Sequence, residues 1–175
     1  MTADYTTTIT VNASRQRAFD AINDVPGWWG RITGSTTAVG DEFVYVVPGL
    51  HYSGFRVVEL EPARRIVWTV TGSYIDVAEH DKYEWNGTTV RFEIGGTDEA
   101  AEIVFTHEGL DPEVECYSVC STAWAMFVNS SLKAFIETGT GAPYGFGGDE
   151  ALSEEDHLAL HREAVEATAQ AAGAR

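Results

Sequence analysis

Apolar and polar residues alternate along several segments of the chain, a pattern typical of half-buried β-strands. The first such segment, Tyr5 to Val11, is rich in β-branched residues, and the others all follow residue 42. The turn signal Gly95-Gly96-Thr97-Asp98 predicts a hairpin, so consecutive strands should pair antiparallel. Six strands are predicted, at Tyr5–Val11, Phe43–Val47, Tyr52–Leu60, Ile66–Val70, Thr88–Ile94 and Ile103–His107.

Helical periodicity separates the first strand from the others. Residues Arg15 to Asn23 place their apolar side chains on one side, and Ser14 can cap the helix that they form. Asp24 to Gly30 contains the pair Trp28-Trp29 and predicts a short second helix or a turn. The irregular, polar stretch from Ser73 to Asn86 predicts a loop or a frayed edge strand.

The longest helical pattern runs from Asp111 to Thr138. Asp111 is the predicted N-cap, Pro112 suits the first helical position, and Gly139 suits the position after the last turn. One face of this helix is wide and largely aromatic, and such a face requires a large concave partner, which a curved antiparallel sheet provides. That face holds Cys116, Tyr117, Cys120, Trp124, Phe127, Val128, Ser131 and Phe135.

The order of elements predicts an α+β fold. A strongly curved antiparallel sheet of about six strands wraps around the long helix, and the first strand can join the far edge of the sheet because helices separate it from the others. Residues 1–139 form this domain. Residues 140–175 form a glycine-rich linker and a tail helix, which a capping box at Ser153-x-x-Asp156 opens and which ends near Ala172.

The composition limits the kinds of molecule that the protein is expected to bind. The chain has 175 residues and a formal net charge of -16, and such a field repels nucleic acid and anionic membrane surfaces. No apolar stretch approaches the roughly 18 residues that span a bilayer, and the first residues carry no basic and apolar leader. We therefore expect a soluble, cytoplasmic protein without membrane insertion.

Cys116 and Cys120 lie one helical turn apart, which does not suit a disulfide, so both should be buried free thiols.

Two side chains are candidates for chemistry. His107 shares the inward face of the last strand with Ile103 and Phe105, where it can be a general acid or base, a ligand anchor, or a buried histidine satisfied by a backbone carbonyl. Tyr45 is the second candidate. On the anchor interpretation, His107→Ala should weaken ligand orientation and leave the fold intact. Four polar residues near strand ends can form the polar mouth of a pocket or a solvated face of the sheet, and the solvated face is favoured: His51, Arg56, Glu59 and His80.

The aromatic residues predict either a closed core or the wall of an apolar ligand pocket. Ser131, at the centre of the inner face of the long helix, either leaves room for a ligand or bonds back to its own helix. The candidate ligand-binding residues are Trp28, Trp29, Tyr45, Tyr52, Phe55, Trp68, Phe92, His107, Cys120, Trp124, Phe127, Val128 and Ser131.

No metal or cofactor site is predicted. His157 and His161 have the spacing of metal ligands on a helix but lack a third ligand in register. The glycine-rich stretch Gly139 to Gly148 lacks the Gly-Lys-Ser/Thr ending of a phosphate-binding loop.

A series of short motifs occurs in order between residues 4 and 139: Ile9–Ser14 with Ala18-Phe19, Trp28-Trp29, Gly40–Phe43, Val58–Thr69, Val90–Phe92, Phe105–Leu110, and Trp124, Leu132 and Glu137–Gly139 on the long helix. With these motifs the chain resembles the START/SRPBCC helix-grip superfamily, and within it the branch named after the C-terminal domain of the heat-shock-protein ATPase activator. The resemblance implies a helix-grip fold. The branch has no universal catalytic motif, so no catalytic residue carries over. The chain departs from the branch at Ala123-Trp124, where Gly-Trp is usual, and in its tail.

The resemblance implies three classes of function. The first is binding of a hydrophobic or lipid-like small molecule between the sheet and the long helix. The second is a polyketide cyclase or aromatase that uses the same cavity. The third is an interaction or co-chaperone-like module in the stress response, with a possible homodimer. A closed core would favour the third class, and a cavity with isolated aromatic residues would favour the first. Two ionisable groups facing one point in the cavity would favour the second.

Overall fold

The computed structural model describes residues 3–47 and 50–144, together with Ala159, Glu163, Glu166 and Gln170, which are helical. The predicted capping box at Ser153 and most of the predicted linker lie outside the described residues.

Among the residues that the structure describes, the sheet has seven strands in the order β1-β7-β6-β5-β4-β3-β2, and every neighbouring pair is antiparallel. The first strand adds to the edge of the last one, as predicted. The seventh strand, which the sequence pattern did not predict, is the three-residue β2 at the other edge, and it is too short to show alternation. The strands are β1 Tyr5–Val11, β2 Ile32–Gly34, β3 Glu42–Val47, β4 His51–Glu61, β5 Arg65–Ile75, β6 Thr89–Gly96 and β7 Ala101–Glu108.

Two register shifts between β4 and β5 bend the sheet. One falls between Gly54 and Phe55, and the other between Val57 and Glu59. A bulge adds one unpaired residue to a strand and increases the local twist, so the two long strands curl over the rest of the sheet. The concave face that results holds the large buried aromatic side chains, Trp68, Phe43, Phe55, Phe92 and Phe105.

The long helix lies across this concave face but begins later than predicted. It consists of α2 Tyr117–Ala125, a π-helical segment Met126–Leu132, and α3 Lys133–Thr138. The predicted N-cap at Asp111 is wrong. Asp111 instead accepts a hydrogen bond from the backbone N–H of Glu113 within a turn. The helix start is capped from outside the helix.

Glu84 supplies that external cap. Its carboxylate accepts hydrogen bonds from the backbone N–H groups of Glu115 at 2.5 Å and Cys116 at 3.0 Å. These N–H groups have no partner within the helix, and a carboxylate there also complements the positive end of the helix dipole. A contact between residues more than thirty positions apart replaces the local cap that the sequence pattern favours.

The predictions for the first helix, for the turn after it and for the end of the long helix are confirmed. The helix α1 spans Arg15–Asn23, and the Ser14 side chain accepts a hydrogen bond from the backbone N–H of Arg17. A short 3₁₀ turn, Val25–Gly27, leads to the buried Trp28. At the far end of the long helix, Gly139 adopts the left-handed conformation with φ of 81°, which is the ordinary role of glycine after a final helical turn.

Candidate ligand cavity

A cavity of about 210 Å³ lies between the β3–β4–β5 end of the sheet and the first half of the long helix. The part of its wall that the structure describes is almost entirely apolar and contains no lysine or arginine. The lining residues are Trp29, Tyr45, Val47, Leu50, His51, Ile75, Val77, Trp85, Val119, Cys120, Ala123, Trp124, Met126, Phe127 and Tyr144.

Aromatic rings that pack on one another make this wall rigid. Trp29 stacks on Tyr45 with ring centroids 4.1 Å apart, and it also contacts Trp124 at 4.7 Å. Trp85 lies parallel to Trp124 at 5.9 Å and meets the ring of His51 edge-on at 4.8 Å. Aromatic pairs in these geometries are attractive beyond the area that they bury, so the wall is preorganised.

The chain after the long helix returns across the cavity, and we call residues 140–144 the strap. The backbone N–H of Tyr144 donates to the carbonyl of Trp29 at 2.8 Å. Ser131 holds the middle of the strap, because its hydroxyl donates to the carbonyl of Trp28 at 2.6 Å and accepts from the N–H of Ala142 at 2.7 Å. A Cβ on Gly141 would clash with the carbonyl of Gly27, so only glycine permits this close approach.

Replacing Ser131 with alanine is expected to release the strap. The variant loses both hydrogen bonds of a buried hydroxyl, which should lower the free energy of unfolding by about 1–3 kcal/mol. Amide hydrogen exchange at Ala142 and Tyr144 should rise well above that of the core strands. The neighbouring exposed residue gives a matched control, since Ser130→Ala should leave both quantities unchanged. Unaltered exchange at Ala142 in the Ser131 variant would contradict the role of Ser131 as a clasp.

Two polar side chains, His51 and Tyr45, lie together in the wall. Their ring centroids are 5.5 Å apart. Burial among apolar rings lowers the pKa of His51 to about 3 and raises the pKa of Tyr45 well above its ordinary value. Both groups are therefore uncharged near neutral pH, and the cavity offers a ligand hydrogen bonds rather than charge.

Cys120 also lines the cavity but is not activated. Both cysteines are free and buried. The interaction with Cys116, followed by burial, raises the pKa of the Cys120 thiol. Since the thiolate is the nucleophilic form, Cys120 acts here as an apolar wall residue.

His107 lies behind the wall in a fully satisfied chain of hydrogen bonds. The indole N–H of Trp124 donates to His107 Nδ1 at 3.0 Å, which leaves the proton on Nε2. That Nε2 lies 2.8 Å from Thr88 Oγ1, and the Thr88 hydroxyl donates to the carbonyl of Trp85 at 2.6 Å. His107 is completely buried, and burial lowers its pKa to about 3. Every polar atom of the imidazole is thus used within the protein.

Solved structures show the same architecture. The Aha1 dimer from Colwellia psychrerythraea matches with a TM-score of 0.64 and 24% identity over 79% of this chain and 99% of that one. DynU16, a protein of the dynemicin biosynthetic locus, matches with a TM-score of 0.59 and 19% identity over 87% of this chain and 58% of that one. CalU16 from Micromonospora echinospora matches with a TM-score of 0.56 and 16% identity over 95% and 86% of the two chains.

The chain has a helix-grip fold. The sequence itself matches no family model and no curated protein. The expected α+β architecture, a curved antiparallel sheet around one long helix, is confirmed.

The helix-grip fold brings five of the sequence-derived candidates to the cavity and leaves eight elsewhere. Tyr52 points to the opposite face of the sheet, where it packs with Val46 and donates a hydrogen bond to Glu163 at 3.1 Å. Ser131 clasps the strap, and His107 lies behind the wall. The five at the cavity are Trp29, Tyr45, Cys120, Trp124 and Phe127, and those in the closed core are Trp28, Phe55, Trp68, Phe92 and Val128.

Sequence reasoning missed three residues that shape the site. For His51 the sequence favours a solvated face over a pocket mouth, although His51 shares the strand parity of the inward-facing Phe55 and lines the cavity. Trp85 lies in a polar stretch that predicts an exposed loop, yet a tryptophan in such a loop is itself a signal of burial. Tyr144 lies beyond the long helix in the segment interpreted as a linker.

Two further properties concern the described part of the chain alone. There, no helix is both long enough and apolar enough to cross a membrane. Within the same residues, no group of three histidine, cysteine or acidic side chains is arranged to hold a metal ion.

Proposed function

We propose that this protein binds a small, apolar, uncharged molecule in the cavity between the β3–β4–β5 end of the sheet and the long helix. The observation that carries the proposal is a preorganised aromatic cavity in whose wall burial keeps the imidazole of His51 neutral. Known ligand sites are concave and mostly apolar, with a few placed polar groups, and this cavity has that composition.

The size of the cavity limits the part of a ligand that can enter. An apolar cavity of about 150 Å³ holds a benzene ring. A cavity of about 210 Å³ therefore suits one or two fused rings or a short alkyl segment. A longer, lipid-like ligand would have to continue outside the cavity.

Exposed apolar side chains surround the mouth of the cavity and offer such a continuation. Five large apolar residues there are between 41% and 55% exposed. Apolar side chains grouped around a pocket are typical of ligand-entry or interaction sites. These residues are Leu50, Val77, Val119, Met126 and Tyr144.

A cyclase-like enzyme is the second candidate, and the neighbouring Tyr45 and His51 are the observation that favours it. A general base works best when its pKa lies near the working pH. With a pKa of about 3, His51 is a poor base near neutral pH, so binding without catalysis is the better account.

The homodimer stays a prediction, to which the dimeric Aha1 structure lends support.

Filling the cavity tests the proposal. Ala123→Phe places a ring in the cavity from the long helix and should weaken the binding of indane or 1-indanone, two bicyclic probes of suitable size, at least about tenfold. Binding can be followed by NMR through the indole N–H signals of Trp85 and Trp124.

A neighbouring substitution controls for the added ring. Thr122→Phe changes an exposed position one residue away and should bind both probes as the unmodified protein does. If neither probe shifts the indole signals of the unmodified protein, the proposed function is wrong.

A further inference from the structure

His51 has one ring nitrogen engaged and one available. Its Nε2 lies 2.8 Å from the hydroxyl oxygen of Ser53, two residues along β4. The part of the chain that the structure describes gives Nδ1 no hydrogen-bond partner, and the half-buried ring forms part of the cavity wall. The protonation of Nδ1 therefore determines whether His51 can donate a hydrogen bond to a ligand or accept one from it.

Ser53 fixes which nitrogen carries the proton. Its side chain is completely buried, and within the described ranges its hydroxyl has a single partner, His51 Nε2. If Nε2 carried the proton, the Ser53 hydroxyl hydrogen would be buried without an acceptor, which costs about 1–3 kcal/mol. The hydroxyl therefore donates to Nε2, and a neutral imidazole then carries its proton on Nδ1.

We propose that the ligand of this cavity presents an uncharged hydrogen-bond acceptor, such as a ketone oxygen, to the Nδ1–H of His51. The inference rests on the proposed function and narrows its ligand class.

A second donor supports it. Trp85 is buried in the same wall, 4.8 Å from His51 between ring centroids, and among the described residues its indole N–H has no acceptor other than the weakly accepting thiol of Cys120. An indole N–H donates only, so an acceptor suits both groups.

The charge of the site excludes an ionised acceptor. None of the described residues that line the cavity is a lysine or arginine, and the chain carries a formal net charge of -16. A carboxylate or phenolate buried there would have no compensating charge, which is far more costly than burying a neutral carbonyl. A neutral ketone or ester oxygen on an apolar molecule can accept these hydrogen bonds and brings no charge into the cavity.

Two probes of one skeleton test the inference. 1-Indanone and indane differ by a carbonyl group, and each is titrated into the unmodified protein and into His51→Phe. The variant keeps an aromatic ring but removes the donor, so it should weaken 1-indanone about tenfold and change indane less than twofold. His80→Phe, a substitution at an exposed histidine outside the cavity, should change neither affinity.

The outcomes separate the inference from the proposed function. Absence of binding by both probes to the unmodified protein would overturn the proposed function. Binding of both probes, with equal losses in His51→Phe, would overturn the carbonyl assignment alone. Loss of the 1-indanone preference in Tyr45→Phe rather than in His51→Phe would transfer the role to the tyrosine hydroxyl.

A measurement on the unmodified protein keeps the inference testable if His51→Phe does not fold. The nitrogen chemical shifts of an imidazole distinguish its two neutral tautomers in NMR. We expect His51 to be protonated on Nδ1. A proton on Nε2 would overturn the inference without any substitution.

Discussion

His107→Ala is expected to lower the free energy of unfolding by about 3–5 kcal/mol. The substitution leaves a void in the fully buried core and strands the indole N–H of Trp124 without its acceptor. It also removes the group beside the Thr88 hydroxyl. Urea denaturation followed by tryptophan fluorescence would measure the loss. This expectation reverses the one drawn from the sequence, in which the alanine variant keeps its fold.

Two variants control this experiment. His107→Gln offers an oxygen acceptor and an amide donor in place of the two ring nitrogens, so it should retain much of the stability that alanine loses. His80→Ala changes an exposed histidine and should shift stability by less than about 0.5 kcal/mol. A His107→Ala protein within 1 kcal/mol of the unmodified one would restore His107 as a functional rather than a structural residue.

Acidification from pH 7 to pH 5 is expected to destabilise the protein by at least about 2 kcal/mol. Burial lowers the pKa of His107 and of His51 to about 3, below the ordinary value of 6.5. Between these values the unfolded chain binds a proton that the folded chain does not, so the free energy of unfolding falls as the pH falls. The slope is about 1.4 kcal/mol per pH unit for His107. His51 adds a smaller share because its ring is only half-buried.

The histidines lose their contribution to stability at a higher pH than the carboxylates do. Hydrogen bonds hold the pKa values of Asp41, Glu59 and Glu115 below their ordinary range, so their stabilising share is lost only under more acidic conditions, below about pH 4.5. Urea denaturation at pH 5, 6, 7 and 8 therefore reports mainly on histidine. His107→Gln, which cannot titrate, should flatten the slope. Equal stability at pH 5 and pH 7 would show that the imidazoles protonate within the folded protein.

These two predictions and the binding proposal describe one property of the molecule. The interior between the sheet and the long helix excludes charge, so it stabilises neutral imidazoles and favours neutral ligands. His107 uses its two nitrogens to hold Trp124 and Thr88 in place behind the wall. His51 uses one nitrogen on Ser53, and in our proposal the other nitrogen meets the ligand. On that proposal, the same residue type has a structural role in one position and a recognition role in the other.

The parity of β4 shows where sequence reasoning was sufficient and where it was not. Side chains alternate along a strand, so Phe55 and Tyr52 cannot face the same side, and the structure places Tyr52 on the outer face. Applying this rule to Phe55 identifies Ser53 and His51 as inward-facing. Tyr52 is a candidate ligand-binding residue because it is aromatic, whereas its position along β4 places it on the other face of the sheet.

The ends of the long helix show the limit of local signals. Gly139 ends the helix as predicted, because the conformation after a last turn depends on the residue that adopts it. The start depends on Glu84, which is distant in sequence and becomes a cap only through folding. The pattern of residues 111–138 contains no signal that a residue as distant as Glu84 caps the helix. The same holds for the π-helical segment Met126–Leu132, whose register adjusts to packing.

By itself, the sequence determined six of the seven described strands, the order of the elements and the grip of a curved sheet on one long helix, because alternation and helical periodicity act over a few neighbouring positions. Only the tertiary structure decided which aromatic residues close the core and which leave a cavity, because that outcome depends on bulges, on the clasp at Ser131 and on the return of the strap to Trp29. These contacts join residues far apart in the chain, and their energies arise only when the sheet and helix are packed together.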